Sequence, residues 1–313
     1  MLLSALLAAY LPVELFLMSY AFLGPAHYLT QIAWMGEKRY FAPKEGLLLQ
    51  FGVIAMLCVA LFFLSATNVL KTDVPVNSIL ISGCFIYAAY LVLGNGSPVF
   101  LASLIAGVLA GCVLLWSLFG IAGLAFFILL PTIVHVYVFT GAFILEGAWQ
   151  NKNLWGFLSF VVFLGCGMFF MFAPLPDMPY VFKNFATENL SYAHMFIETF
   201  EETFNINQGS NKQGSNNQGQ RNVMAFFAFA YTYHYLNWFS KVKLIKWHKL
   251  YRHKLMGIVV VYGACMAIYF YDYGLGYLAL LFFSLLHVML EFPLNIRILQ
   301  SLGGRLRQLR MPV

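Results

Sequence analysis

Apolar positions fill this chain in runs of about 20 residues, the length an α-helix needs to cross bilayer hydrocarbon, and short polar turns separate the runs. Nine spans are predicted. The first run, 1–34, exceeds one crossing and carries Pro12, Glu14 and Pro25, so it reads as a kinked helix or one with a short entry segment. The turn GEKRYFAPKEG ends it. Spans two and three are 46–66 and 78–93, and Asn95-Gly96-Ser97 stops the third with a turn signal. The fourth, 98–119, meets Gly120 and Gly123, which allow a tight return into a fifth that runs to Trp149 before QNKN closes it. The last four are 154–172, 222–240, 255–271 and 275–294.

One long polar excursion, 174–221, interrupts the series. Its 207–220 stretch is a Gly/Asn/Gln tract with too little apolar surface to fold, and is expected to be disordered. Just before it, SYAHMFIETFEETF spaces apolar residues helically among acidic ones, the pattern of an amphipathic helix lying on a membrane surface. The chain therefore reads as all-α, a single polytopic membrane helix bundle over residues 1–313.

Composition agrees. With 61% hydrophobic and 10% charged residues, the chain has no room for a separate soluble domain. The formal charge of +6 gathers in a few loops, which points to topology and lipid headgroups and away from nucleic acid. On a nine-span count, 14 of the 18 lysines and arginines fall on one side. The positive-inside rule then places the N-terminus outside and the C-terminus in the cytoplasm, with a bacterial inner membrane as the setting. One miscounted span would reverse the N-terminus. The start lacks a basic n-region and a small-residue cleavage site, so Met1 onward is expected to be retained. Five cysteines lie singly in apolar segments and read as small core residues.

Ionisable residues inside these spans are the candidate chemistry, because lipid makes them costly and they usually face a bundle interior. PTIVHVYVFTGAFILE holds His135 and Glu146, eleven residues apart and so close to three helical turns. SLLHVMLEFPLN holds His287 and Glu291, one turn apart. His27 and His234 lie near the inner ends of their own spans. The next basic residues, Lys38, Lys152, Lys241 and Arg297, follow the four histidines by 11, 17, 7 and 10 positions. That corresponds to about 10 to 25 Å of helix, a comparable depth for all but the deeper His135. Two readings stay open: hydrogen-bonded packing residues, or ligands of one shared metal, for which imidazoles suit iron, copper or zinc. Glu146 and Glu291 are candidates to orient the imidazoles or to bind directly.

The remaining features are weaker. His194, His248 and His253 are secondary candidates, the last two inside the interfacial stretch KVKLIKWHKLYRHK. Glu14 reads as a snorkelling surface carboxylate or a proton-relay group. The run Tyr231, Tyr233, Tyr235, Trp238 and Phe239 around His234 either lines a channel for a flat apolar substrate or packs against lipid. No Gly-rich phosphate loop, nucleophile elbow or HExxH is present, and the HxxxH clusters of membrane hydroxylases and desaturases are missing too.

Gly24-Pro25-Ala26-His27, the mid-helix His135, Tyr233-His234 and the late His287 resemble, in order and placement, the Brp/Blh family of integral-membrane β-carotene 15,15′-dioxygenases. That resemblance implies a multi-helix membrane fold, a histidine-ligated ferrous iron, Fe(2+), and oxidative cleavage of the central double bond of β-carotene to retinal. The family's first motif is Pro-His-Gly followed by an acidic residue. Here Ala26 intervenes, and Tyr28 and Gln31 stand where the glycine and the acid would be. The segment GPAHYLTQIAWMGEKRYF also resembles the polytopic membrane protein of enediyne biosynthetic cassettes.

The expectation is thus a membrane non-haem iron oxygenase with His27, His135, His234 and His287 as metal ligands, and with Glu146 and Glu291 orienting them. Its substrate would be a lipophilic, carotenoid-like polyene that enters from the bilayer. The rivals are a transporter, disfavoured by the lack of an internal repeat, and a lipophile-binding or assembly protein of a biosynthetic pathway.

Overall fold

The computed structural model describes residues 1–38, 45–66, 74–93, 97–176, 216–241 and 252–310. Among the described residues every regular element is helical. The α-helices are α1 Leu2–Tyr10, α2 Pro12–Met18, α3 Gly24–Lys38, α4 Glu45–Ala66, α5 Val74–Leu93, α6 Pro98–Ile133, α7 Thr140–Gln150, α8 Leu154–Phe172, α9 Asn216–Ser240, α10 Arg252–Tyr271 and α11 Tyr273–Arg310. Two π-helical turns, Ser19–Leu23 and Val134–Phe139, join α2 to α3 and α6 to α7.

The breaks have local causes. Leu11 precedes Pro12 and is pushed out of the helical region to φ −130°, ψ 57°, while Pro12 starts α2 where its missing N–H costs nothing. This is the kink expected in the first run. Pro25 cannot donate to the Ala21 carbonyl, and the first π turn lies just ahead of it.

The described chain forms two compact units, one of Met1–Thr30 with Phe157–Leu281, the other of Gln31–Gly156 with Phe282–Val313. In the first, α9 lies along α1, α2 and the first π turn, with Val13, Leu17 and Met224 at the contact. Aromatic edges continue the packing: Phe16 meets Tyr231 at 5.3 Å, and Phe163 and Phe170 of α8 meet Phe229 at 5.9 and 5.6 Å. In the second unit α5 packs on α4 and α6, and the Cys58 and Cys84 thiols face each other. Phe139, Ala142 and Leu302 hold the α7 region against α11. Between α7 and α8 the chain turns through Lys152 at φ 47°, and Asn153 caps α8 by accepting the Trp155 N–H at 3.0 Å.

Three helices among the described residues are long and apolar enough to cross a membrane: Leu154–Phe172, Arg252–Tyr271 and Ala279–Arg305. Three shorter apolar stretches, Leu49–Leu61, Ser82–Leu93 and Pro98–Gly111, fall below that length. The expected nine crossings are thus reduced to this coarser result. Large apolar side chains stand outward on α8 and α10, with Trp155 75%, Val161 62% and Phe270 73% exposed. Such faces suit lipid and would be a liability in water.

Three expectations need correcting. The tight return at Gly120 and Gly123 does not occur, because α6 continues through both glycines to Ile133. In an apolar stretch intrahelical bonds are the cheapest way to satisfy the backbone, and two glycines at about 1 kcal/mol each do not outweigh them. Glu14, read as a surface carboxylate, is buried at 7% exposure. Residues 216–220, assigned to the disordered tract, form the first turn of α9. The rest of that tract and the amphipathic segment 191–204 lie outside the described residues.

Candidate metal centre

Each unit brings two of the predicted histidines together. His27 on α3 and His234 on α9 face each other with Nε2 atoms 3.0 Å apart and rings inclined at 72°. Thr30, one turn from His27, holds the helices in register. Its hydroxyl accepts the Trp238 Nε1–H at 3.1 Å and donates to the Ala26 carbonyl at 2.6 Å, with the His27 carbonyl at 2.9 Å. The Tyr235 and Trp238 rings stand 5.1 and 5.6 Å from the His27 ring. A Cβ on Gly24 would come within 3.2 Å of the Tyr28 ring and 3.3 Å of the Tyr235 hydroxyl, so glycine lets these rings close over the site. Tyr231, Tyr235 and Trp238 of the aromatic run are buried, while Tyr233 and Phe239 are half-buried.

In the other unit His135, inside the second π turn, meets His287 of α11 with Nε2 atoms again 3.0 Å apart. The far sides of these rings face acceptors. Glu291 Oε2 lies 3.5 Å from His135 Nδ1, and Gln31 Nε2 donates to that same oxygen at 2.5 Å. His287 sits against the backbone carbonyls of Ser284 and Phe283, one turn earlier in α11. Glu291 beside His135 Nδ1 favours the proton there, which leaves the His135 Nε2 lone pair turned toward His287 Nε2. All four histidines are buried and each offers one ring nitrogen, so as a donor set they can hold a metal ion.

Glu146 goes elsewhere. It accepts from Gln150 at 2.7 Å, from Ser301 at 2.7 Å and from Arg305 at 3.3 Å. Ser301 lies about 20 Å along α11 from His287, so Glu146 is held well away from that imidazole. The π turn is the reason. It takes up one extra residue, and side chains before and after it lose about 100° of register, so His135 and Glu146 no longer share a face. Glu291 does lie beside a histidine.

Three features escaped the sequence reading. Gln31 appeared there only as a departure from a motif. Asn295 is fully buried, and neither amide atom has a hydrogen-bond partner among the described residues. The π turns left no separate trace. The signal for the two amides was spacing: Gln31 follows His27 by four residues, and Asn295 continues the series His287, Glu291 by four more. His194 and His248 lie outside the described residues, and His253 stands at the start of α10, apart from the paired histidines in sequence. No protein-family model, no curated protein and no solved structure matches this chain.

Proposed function

We propose that this protein is an integral-membrane, histidine-ligated non-haem iron oxygenase acting on a lipophilic polyene, and that His27, His135, His234 and His287 share one ferrous ion. The carrying observation is the His135–His287 geometry, two buried imidazoles whose Nε2 atoms approach to 3.0 Å while Glu291 faces His135 Nδ1 and the Ser284 and Phe283 carbonyls lie beside the His287 ring. At this distance one ring donates an N–H to the other in the metal-free protein, and a metal ion would take both Nε2 lone pairs in place of that proton.

A bound ferrous ion supplies one-electron chemistry with dioxygen. The chain supplies the rest. Glu291 and the Ser284 and Phe283 carbonyls fix the ring planes of His135 and His287. Tyr235, Trp238 and Thr30 wall in His27 and keep water from it. The outward apolar faces of α8 and α10 let a lipophilic substrate arrive from the bilayer. The resemblance of the histidine pattern to membrane carotenoid dioxygenases supports a polyene substrate, and the basic end of α11 supports a cytoplasmic C-terminus.

Metal analysis of the detergent-purified protein tests this. Wild-type protein is expected to carry one iron per chain, and both His27→Ala and His287→Ala to lose it. Loss of half the metal in each would mean two separate ions. Folded protein without metal removes the proposal and leaves a lipophile-binding or transport role. Iron-loaded protein given β-carotene is expected to release retinal.

A further inference from the structure

Glu291 is 2% exposed, and one of its oxygens serves two neighbours: Oε2 faces His135 Nδ1 at 3.5 Å and accepts the Gln31 amide at 2.5 Å. Gln31 is itself 3% exposed, and its Oε1 is buried with no hydrogen-bond partner among the described residues. Half of this amide is therefore unsatisfied. A leucine would fill similar space without that penalty, so packing alone does not account for a glutamine here. What the glutamine adds is a donor directed at one carboxylate oxygen. The amide cannot be turned over, since Oε1 would then face Oε2 and two acceptors would repel.

We infer that Gln31 is a positioning residue for the metal centre: by pinning Glu291 Oε2 it fixes the plane of the His135 ring, and with it the direction of the Nε2 lone pair. The inference rests on the metal-binding reading above. The extended Glu291 side chain has several rotatable bonds, and the Gln31 donor restricts it to the rotamer that faces His135. The placement of Gln31 adds a second role. His27 lies one turn before it on the same face of α3, so any rotation of α3 that moves His27 also moves the donor on Glu291. One helix then carries a ligand and the anchor that orients a different ligand. Hydrogen-bonded partners of ligating histidines typically change metal affinity 10- to 100-fold (about that range) when removed.

The test uses full-length protein in detergent loaded with cobalt(II), whose visible ligand-field bands report ligand geometry, with affinity measured by chelator competition and with a thermal melt of the metal-free protein. Gln31→Leu is expected to weaken cobalt binding about 10- to 100-fold and to change the bands, while the metal-free protein melts no earlier than wild type. Glu291→Gln is expected to do the same, and Q31L/E291Q to add little beyond either single change, because both break one chain of contacts. The exchange Q31E/E291Q is expected not to recover the wild-type spectrum, because the one atom at position 291 that serves both neighbours would have to donate to residue 31 and accept from His135 at once. Wild-type cobalt affinity and bands in Gln31→Leu, or strictly additive losses in the double variant, would overturn the role of Gln31 while leaving the metal centre intact. A wild-type protein that binds neither cobalt nor iron removes both proposals together.

Discussion

Asn295 is a residue that α11 would be more stable without. Its side chain is fully enclosed, both ends of the amide lack hydrogen-bond partners among the described residues, and Pro293 two positions earlier already removes a helical bond. Exchanging it for leucine, Asn295→Leu, is expected to raise stability by roughly 1–3 kcal/mol, seen as a higher melting temperature in detergent. A lower melting temperature would mean that an ordered water completes the amide. At this scale the sequence was informative about charge and silent about amides. His27, His135, His234, His287 and Glu291 stood out because an ionisable group in an apolar run has few bland explanations. Gln31 and Asn295 did not, since a neutral amide looks the same whether it lines a site or faces a loop. Glu146 was misplaced for a different reason: its distance from His135 was counted along a regular helix that the chain does not form.

Helix limits were legible where punctuation was strong. The span read as 154–172 coincides with α8, bounded by the QNKN turn on one side and Pro174 on the other, and α4 differs from its expected range by one residue. The return at Gly120 was not legible, because glycine permits a turn without requiring one and nothing polar nearby enforced it. The QNKN turn holds a testable irregularity. Lys152 adopts a left-handed backbone at φ 47°, a conformation that costs a residue with a side chain about 1 kcal/mol more than glycine. Lys152→Gly is therefore expected to hold or raise the melting temperature by a few degrees, while Lys152→Val lowers it, with circular dichroism as the readout.

For the whole molecule the continuity of α6 has a topological meaning. The nine expected crossings include a return near Gly120, and helix instead runs from Pro98 through the second π turn to Gln150, so that expectation less this one crossing is an even number. Termini on an even count share a side. Reporters fused at either end are therefore expected to give the same score, and the arginines at 305, 307 and 310 favour the cytoplasmic one. Opposite scores would restore the ninth crossing. The second π turn has a consequence of another kind. Viewed genetically, it is one codon more than a regular helix needs. Loss of any single codon between 136 and 139 would let the helix close normally and turn His135 away from His287, leaving hydropathy, length class and charge almost untouched. Two copies of this gene could thus differ by three nucleotides, look alike by every compositional measure, and encode one protein with a complete histidine set and another without.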